Sequence, residues 1–350
     1  MEKRRLGRTD IMVSSLCLGT MTFGEQNTEV EGHAQMDLAV ERGINLFDAA
    51  ELYPIPPKPE TQGRTEEIIG TWMKARKNRS DIVLATKAIG RSGNTWFRDD
   101  GSPGRLTRKQ LEEAVDKSLK RLQTDYIDLY QLHWPDRTVS GFGSNPTRWK
   151  DPVSAEDETP ISETLEVLGD FVKAGKVRHI GLSNESAWGT MTFLKASEAN
   201  NLPRVASIQN AYSLVNRTFE SGLAEVSRRE DVGLLAYSAL AQGYLTGKYR
   251  DGALPKGARK TLFDRLQRYE KPGAEAAINA YLDLAADLGV DPAQLAIAFV
   301  RSRSFVTSVI LGATSLAQLE VDLGAASLEI TQEIEARIDA IHQLHGNPCP

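Results

Sequence analysis

Asp48, Tyr53, Lys87 and His133 are the residues whose types and placement in this chain could do chemistry. Asp48, Lys87 and His133 close short apolar runs, Asn45-Leu-Phe-Asp48, Asp81-Ile-Val-Leu-Ala-Thr-Lys87 and Tyr126-Ile-Asp-Leu-Tyr-Gln-Leu-His133, and Tyr53 lies five residues past the first. An acid, a phenol, an amine and an imidazole suit one task, protonating a carbonyl oxygen while hydride arrives at its carbon. A phenol is ordinarily too weak an acid, but an ammonium beside it favours the phenolate and makes the proton easier to give. Lys87 would act on Tyr53 in this way. Asp48 would keep Lys87 charged and oriented, and His133 would donate a hydrogen bond that aligns the carbonyl oxygen. The hydride must come from a cofactor, because no side chain supplies it.

Each residue also has a plainer reading. Asp48 could cap a turn or serve a structural ion pair. His133 could be a satisfied histidine at a strand end, and Tyr53 could pack on the proline-rich loop that follows it. Lys87 is less easily dismissed: a lysine closing an apolar run must reach an open mouth or meet a carboxylate, since an unpaired buried ammonium is costly. Asp48 is its natural partner.

The elements that must position these residues follow from periodicity. Short β-rich runs alternate with longer stretches of helical spacing, the pattern of a parallel sheet covered by helices. Besides the three runs above, strands are expected at Ser15–Gly19, Val177–Ser183, Val205–Gln209, Val232–Tyr237 and Val306–Gly312. Eight βα units make a closed (β/α)8 TIM barrel the natural arrangement, expected here as one domain over residues 1–350. Residues 1–14 look like a hairpin turning at Gly7-Arg8-Thr9-Asp10, and a helix near Thr331 to His342 is surplus to the barrel. Thr107-Arg-Lys-Gln110 reads as a capping box, and Thr159-Pro160 as an N-cap followed by proline at the first helical position. Residues 135–158 and 240–272 are long loops of the kind that carry function. In a barrel the strand ends share one face, which gathers Gly19-Thr20, Asp48, Lys87, His133, Ser183-Asn184, Gln209, Tyr237-Ser238 and Gly312-Ala313.

Composition limits the function classes. With 350 residues, 41% hydrophobic, 25% charged and a net charge of −5, the chain has no excess of positive charge for nucleic acid or a membrane surface. Cys17 and Cys349 lie near opposite ends and form no CxxC pair, which suits a reducing cytoplasm. The apolar stretches after Met1-Glu-Lys-Arg-Arg are short, so no signal segment is expected. Five histidines without HxH or HExxH speak against a metal-dependent barrel hydrolase.

Taken in order, Gly43-Ile-Asn-Leu-Phe-Asp48-Ala-Ala-Glu-Leu-Tyr53, Ala85-Thr-Lys87, Leu132-His133, Gly181-Leu-Ser-Asn184, Ile208-Gln-Asn210 and Leu311-Gly312-Ala313 resemble the aldo-keto reductase superfamily over nearly the whole chain. Leu18-Gly-Thr-Met-Thr-Phe-Gly-Glu-Gln-Asn27 and Tyr53-Pro-Ile-Pro-Pro-Lys-Pro-Glu-Thr-Gln-Gly63 look like its bacterial Tas-type reductases. The resemblance implies that Asp48, Tyr53, Lys87 and His133 form the catalytic tetrad, with Tyr53 as general acid. It implies a cofactor site to which Gly19, Thr20 and Met21 belong, in which Ser183, Asn184 and Gln209 hold the nicotinamide carboxamide and Tyr237 stacks on the ring. Ser238, Leu240, Gly243, Thr246 and Lys248 match a loop around the pyrophosphate, and Gly312, Thr314 and Gln318 match the adenosine end. Read alone, Gly243-Tyr-Leu-Thr-Gly-Lys248 is a weak phosphate loop, and a solvated loop explains it as well.

Lys248 and Arg259 suit a 2′-phosphate, which favours NADP(H) over NADH. Asp322 departs from the pattern, since related reductases usually place asparagine there. An aspartate lacks the amide donor and brings negative charge near the nucleotide. Met21, Phe23, Tyr53 and Trp134, with Phe142 and Trp149, could line an apolar mouth for a small aldehyde or ketone, although core packing explains each as well. A second reading is a cofactor-binding, redox-sensing subunit like the potassium-channel β-subunits. The residues carry no statement on oligomeric state.

Overall fold

The computed structural model describes all residues except 140–150, 152–154 and 266, so Phe142 and Trp149 lie outside the described residues. Eight parallel strands close into a barrel: β3 (Leu16–Gly19), β4 (Leu46–Asp48), β5 (Val83–Ala88), β6 (Ile127–Leu132), β7 (Val177–Ser183), β8 (Val205–Ala211), β9 (Gly233–Tyr237) and β10 (Val306–Leu311), with β10 returning to β3. A separate antiparallel hairpin, β1 (Lys3–Arg5) and β2 (Met12–Ser14), precedes them.

Period-two alternation sorts the strand residues between two cores. Outward residues such as Leu16, Leu18, Phe47, Leu84, Tyr130, Leu182, Ile208 and Val309 join the large core beneath the helices. The opposite set, Cys17, Leu46, Val83, Ala85, Leu129 and Leu235, fills the lower barrel, and Leu6, Ile11 and Val13 of the hairpin close it from below. The hairpin sits so tightly that a Cβ on Gly7, itself at φ +55, would fall 2.3 Å from the Ala206 carbonyl oxygen. With the bottom sealed by apolar groups, the next inward positions up the strands are polar: Asp48, Lys87, Gln131 and Gln209, all buried.

Between the strands run α1 (Glu29–Glu41), α2 (Arg64–Arg76), α3 (Arg108–Leu122), α4 (Ile161–Lys173), α5 (Ala187–Asn200) and α6 (Leu223–Glu230). After β9 come α7 (Arg259–Phe263), α8 (Ala274–Leu288) and α9 (Pro292–Ser302), and after β10 come α10 (Leu316–Gly324) and the surplus α11 (Gln332–His345). Two expected helix starts are corrected. Thr107 is the N-cap of α3 but makes no capping bond, because the Gln110 side-chain oxygen is taken by the backbone N–H of Arg105 at 2.7 Å. Helix α4 begins one residue later than Thr159-Pro160 suggests: Pro160 is the N-cap at ψ 143, and the Thr159 N–H donates to Asp136 at 3.3 Å. No described helix is long and apolar enough to cross a membrane.

Candidate active site

Lys87 is the centre of the arrangement. Its Nζ, fully buried, spends its three donors on Asp48 Oδ2 at 2.6 Å, the Ala49 carbonyl at 2.8 Å and the Tyr53 hydroxyl at 3.4 Å. Burial alone would lower the Lys87 pKa, but Asp48 and Tyr53 outweigh it and raise it above 10.5, so the ammonium is retained. The Tyr53 ring stands edge-on to the His133 imidazole, with centroids 5.7 Å apart. His133 sits in turn 4.8 Å from the Trp134 ring. The four residues expected to work together do converge at the top of the barrel.

Lys87 does act on Tyr53 in the expected direction, but burial outweighs it. Burial pushes the Tyr53 hydroxyl above 10, and Asp48 adds to that, while Lys87 and Arg259 pull the other way. Lys87 brings its own counter-charge in Asp48, so the two partly cancel at the phenol and desolvation decides the direction. His133 is held well below 6.5 by burial and by the Lys87 charge, which keeps the imidazole neutral. Its Nδ1 is buried without a partner among the described residues.

The strand ends brace this centre. Thr20 is buried, and its hydroxyl donates to the Asp48 carbonyl at 2.8 Å, so it supports the acid from behind. Gly19 is equally enclosed, since a Cβ there would come within 2.6 Å of the Leu311 oxygen. Ser183 donates to the Gln209 carbonyl at 2.8 Å, and Asn184 Nδ2 donates to the His133 carbonyl at 2.8 Å. The Tyr237 hydroxyl, pushed up to about 12 by burial, donates to Asn184 Oδ1 at 2.6 Å. Asn184 (φ 53) and Ser238 (φ 60) hold left-handed backbone at the strand ends, a conformation that costs energy and that concentrates at functional sites.

Beyond Tyr237 the chain turns through Leu240 and the short turns of Ala241–Thr246. Gly243 takes φ +104, and a Cβ on it would meet Lys248 Cε at 2.4 Å. Thr246 donates to the Gly243 carbonyl at 2.8 Å and tightens the loop. Lys248, Arg259, Arg265 and Arg268 gather on this side, and none has an ion-pair partner among the described residues. Lys260 does, pairing with Asp264 at 3.1 Å and with Glu270. Burial depresses both Lys248 and Arg259, with further repulsion among the cations. Asp322 is buried opposite Lys248 and is pushed up to about 7 by burial and by Asp291. Thr314 donates to Gln318 Oε1 at the start of α10, and a Cβ on Gly312 would meet only open space.

The mouth differs from expectation at one residue. Phe23 is fully buried in the large core against Gly32 and Ile68, because the chain after Thr20 turns back through a Phe23 N–H to Thr20 carbonyl bond at 3.0 Å. It packs α1 on the barrel and lines no mouth. Trp134 stays at the site: its Nε1 donates to the Arg91 carbonyl at 2.8 Å, and its ring packs with Tyr53 and Ile55 on Ala50, Leu52, Ile89 and Phe97. Met21 is partly exposed, and its carbonyl holds the Ile55 N–H at 3.0 Å.

Three contributors were not anticipated. Glu51, between Asp48 and Tyr53, forms a buried two-point ion pair with Arg98 at 2.9 and 3.0 Å. Gln131 donates to Asp48 Oδ1 at 3.3 Å. For Gln131 a signal existed, since a residue two before His133 on a strand shares its face. Among the described residues no group of three or more His, Cys, Asp or Glu side chains could hold a metal ion.

A barrel whose upper polar layer carries an Asp–Tyr–Lys–His set agrees with comparison to known proteins. The model of the Aldo/keto reductase family matches residues 15–343. The chain belongs to the aldo/keto reductase family. Its relatives include "Protein tas" of Escherichia coli, 49% identical with all of both chains covered. A "Probable voltage-gated potassium channel subunit beta" of Oryza sativa subsp. japonica is 32% identical over 98% of this chain and 97% of that protein. "Norsolorinic acid reductase B" of Aspergillus parasiticus is 30% identical over 92% of this chain and 79% of that one. As an aldo/keto reductase the chain is an oxidoreductase of small carbonyl compounds at the level of its family.

Proposed function

We propose that the protein reduces an aldehyde or ketone with NADPH, in a reducing compartment such as the cytoplasm, with Tyr53 as general acid. The carrying observation is the Tyr53 hydroxyl held 3.4 Å from a Lys87 ammonium that Asp48 fixes at 2.6 Å. Bound NADPH would supply the hydride to the carbonyl carbon. Tyr53, accepting a hydrogen bond from Lys87, keeps its own proton to give to the carbonyl oxygen. Its raised pKa is no obstacle, because the alkoxide that takes the proton is a stronger base than phenolate. Neutral His133 faces the Tyr53 ring edge and can donate one N–H to the same oxygen, stabilising developing negative charge without competing for the proton. Trp134 and Ile55 pack with Tyr53 on one small apolar cluster and would shield this oxygen from water on one side.

The chain's own residues fit the dinucleotide. A protein of net charge −5 that pairs most of its cations leaves Lys248, Arg259, Arg265 and Arg268 without an ion-pair partner among the described residues, with only the partly protonated Asp322 near Lys248. Such a group favours a polyanion that can neutralise it, and phosphates are the natural polyanion. The relative named as a potassium-channel subunit supports a second reading, a cofactor-binding sensor, against which the complete acid–lysine pair stands.

NADPH consumption with 4-nitrobenzaldehyde tests the proposal. Tyr53→Phe should lower kcat by roughly 10²-fold or more with NADPH affinity intact, since it removes the acid alone. Equal loss of binding and turnover would contradict the role. A wild-type protein that binds NADPH yet reduces no carbonyl would favour the sensor.

A further inference from the structure

Asp48 has two oxygens, and Lys87 takes only Oδ2. The other, Oδ1, accepts from two buried amides, Gln209 Nε2 at 2.8 Å and Gln131 Nε2 at 3.3 Å. The remaining proton of Gln209 Nε2 goes to Gln131 Oε1 at 3.2 Å, which closes a ring of three side chains. Gln131 is fully buried. The fold keeps room for it, since a Cβ on Gly181 of the neighbouring strand would stand 3.1 Å from Gln131 Cγ and 2.9 Å from Ser207 Oγ. Filling that space would need only an apolar side chain, and a buried amide is costly unless bonded, so the amide has a use beyond packing.

That use follows from counting protons. Gln209 has two N–H donors, and the ring consumes both, one on Asp48 and one on Gln131. Only Gln209 Oε1 is left to face a ligand, and it can do nothing but accept. We propose that Gln131 is a positioning residue that fixes the Gln209 amide with its oxygen toward the cleft, so that the site selects a cofactor ring bearing a primary carboxamide. This rests on the nicotinamide reading given above. Without Gln131 the Gln209 amide is held at one point instead of two. It then swings, its freed N–H reaches toward the cleft, and a ring carrying a methyl ketone is accepted as readily as one carrying an amide.

The test uses binding alone, read by protein fluorescence, with NADPH, its 3-acetylpyridine analogue and 2′,5′-ADP, which has no ring. Wild type should prefer NADPH to the analogue. In Gln131→Met, unbranched and of similar length, that preference should fall about fivefold, the worth of one buried hydrogen bond, while 2′,5′-ADP binds as in wild type. Gln131→Glu keeps an acceptor for the Gln209 N–H whether charged or protonated and should retain the preference. An unchanged preference in Gln131→Met, equal weakening of 2′,5′-ADP, or a wild type that does not discriminate would each overturn the inference. If Gln131→Met does not fold, Gln131→Leu takes its place. Failure of both with a folded Gln131→Glu would mark a structural amide and also overturn it. A wild type that binds neither dinucleotide sinks the cofactor reading and this inference together, whereas one that binds NADPH normally while Gln131→Met keeps its preference sinks this inference alone.

Discussion

Replacing Glu51 with methionine should unlatch Tyr53 while leaving every tetrad side chain in the sequence. The Glu51 carboxylate grips the Arg98 guanidinium at 2.9 and 3.0 Å and accepts the Ile89 N–H at 2.8 Å, with both side chains of the pair essentially unexposed. Its backbone is tied on the same spot, the N–H to the Lys87 carbonyl at 3.1 Å and the carbonyl to Gln62 at 2.6 Å. One residue thus joins the segment carrying Tyr53 to the strand carrying Lys87 and to the loop of Phe97 and Arg98. Burial opposes the Arg98 charge and Glu51 overrides it; with that partner gone, the guanidinium's own high basicity keeps it charged, now buried and unpaired. Stranding one member of a buried pair costs about 3–5 kcal/mol, and the orphaned Ile89 N–H adds about 1 kcal/mol more. At about 2–4 °C per kcal/mol for a large chain, Tm should fall by roughly 10 °C. A shift of the phenol by even 1 Å should lower kcat by about tenfold or more, with NADPH affinity unchanged. Glu51→Met/Arg98→Met removes both charges and should recover most of the Tm. Thermal unfolding of the two variants checks this, and a single variant within about 1 kcal/mol of wild type, or a double variant no better than the single, would refute the reasoning.

Three further outcomes are expected. Arg259→Ala should weaken NADPH by about tenfold or more and NADH little, measured by fluorescence titration; equal weakening would put the phosphate elsewhere. Asp322→Asn should stabilise the protein more near pH 8 than near pH 5. The folded pKa of Asp322 is raised from 3.8 to about 7, so its ionisation works against the fold increasingly as pH rises across that window. Denaturant unfolding at the two pH values decides it, and an equal gain at both would refute it. His133→Asn should flatten the loss of stability below pH 6.5. The native imidazole, held well below 6.5 by burial and Lys87, stays neutral, while the unfolded one takes up a proton as pH falls. An identical acid limb in wild type and variant would count against it.

The barrel was legible because strands buried on both faces read as continuous apolar runs, and their last inward residue breaks the run by being polar. That is why Asp48, Lys87 and His133 could be picked out as strand ends and do meet in space. Local signals failed where a distant group outbid them: Asp136 claims the Thr159 N–H, and Arg105 claims the Gln110 oxygen. Phe23 was misread because an aromatic just past a strand end looks like a mouth residue until the turn at Thr20 is known. Arg98 lies 47 residues from Glu51, and nothing in either neighbourhood announces the pair. The sign of the Tyr53 shift was equally hidden, because it depends on burial and on how closely Asp48 follows Lys87.

The charges of the site fall into two groups, and the division has a physical cause. Around Tyr53 and Lys87 the buried charges among the described residues are matched within the chain: Lys87 by Asp48, Arg98 by Glu51, and Arg121 by Glu66, which also takes the Thr86 hydroxyl at 2.5 Å. Water cannot reach these groups, so a missing partner would be costly before any ligand arrived. Along the cleft of Lys248 and Arg259 the cations are left unmatched, which water tolerates until a polyanion displaces it. On the proposed function, affinity for a phosphate-bearing ligand would come from the second group, and the proton chemistry of Tyr53 would be set by the first. Salt reaches the open cations and screens them, but it does not reach Asp48 and Lys87. Ionic strength should act on the binding of the nucleotide, leaving the acid strength of the phenol where burial has set it.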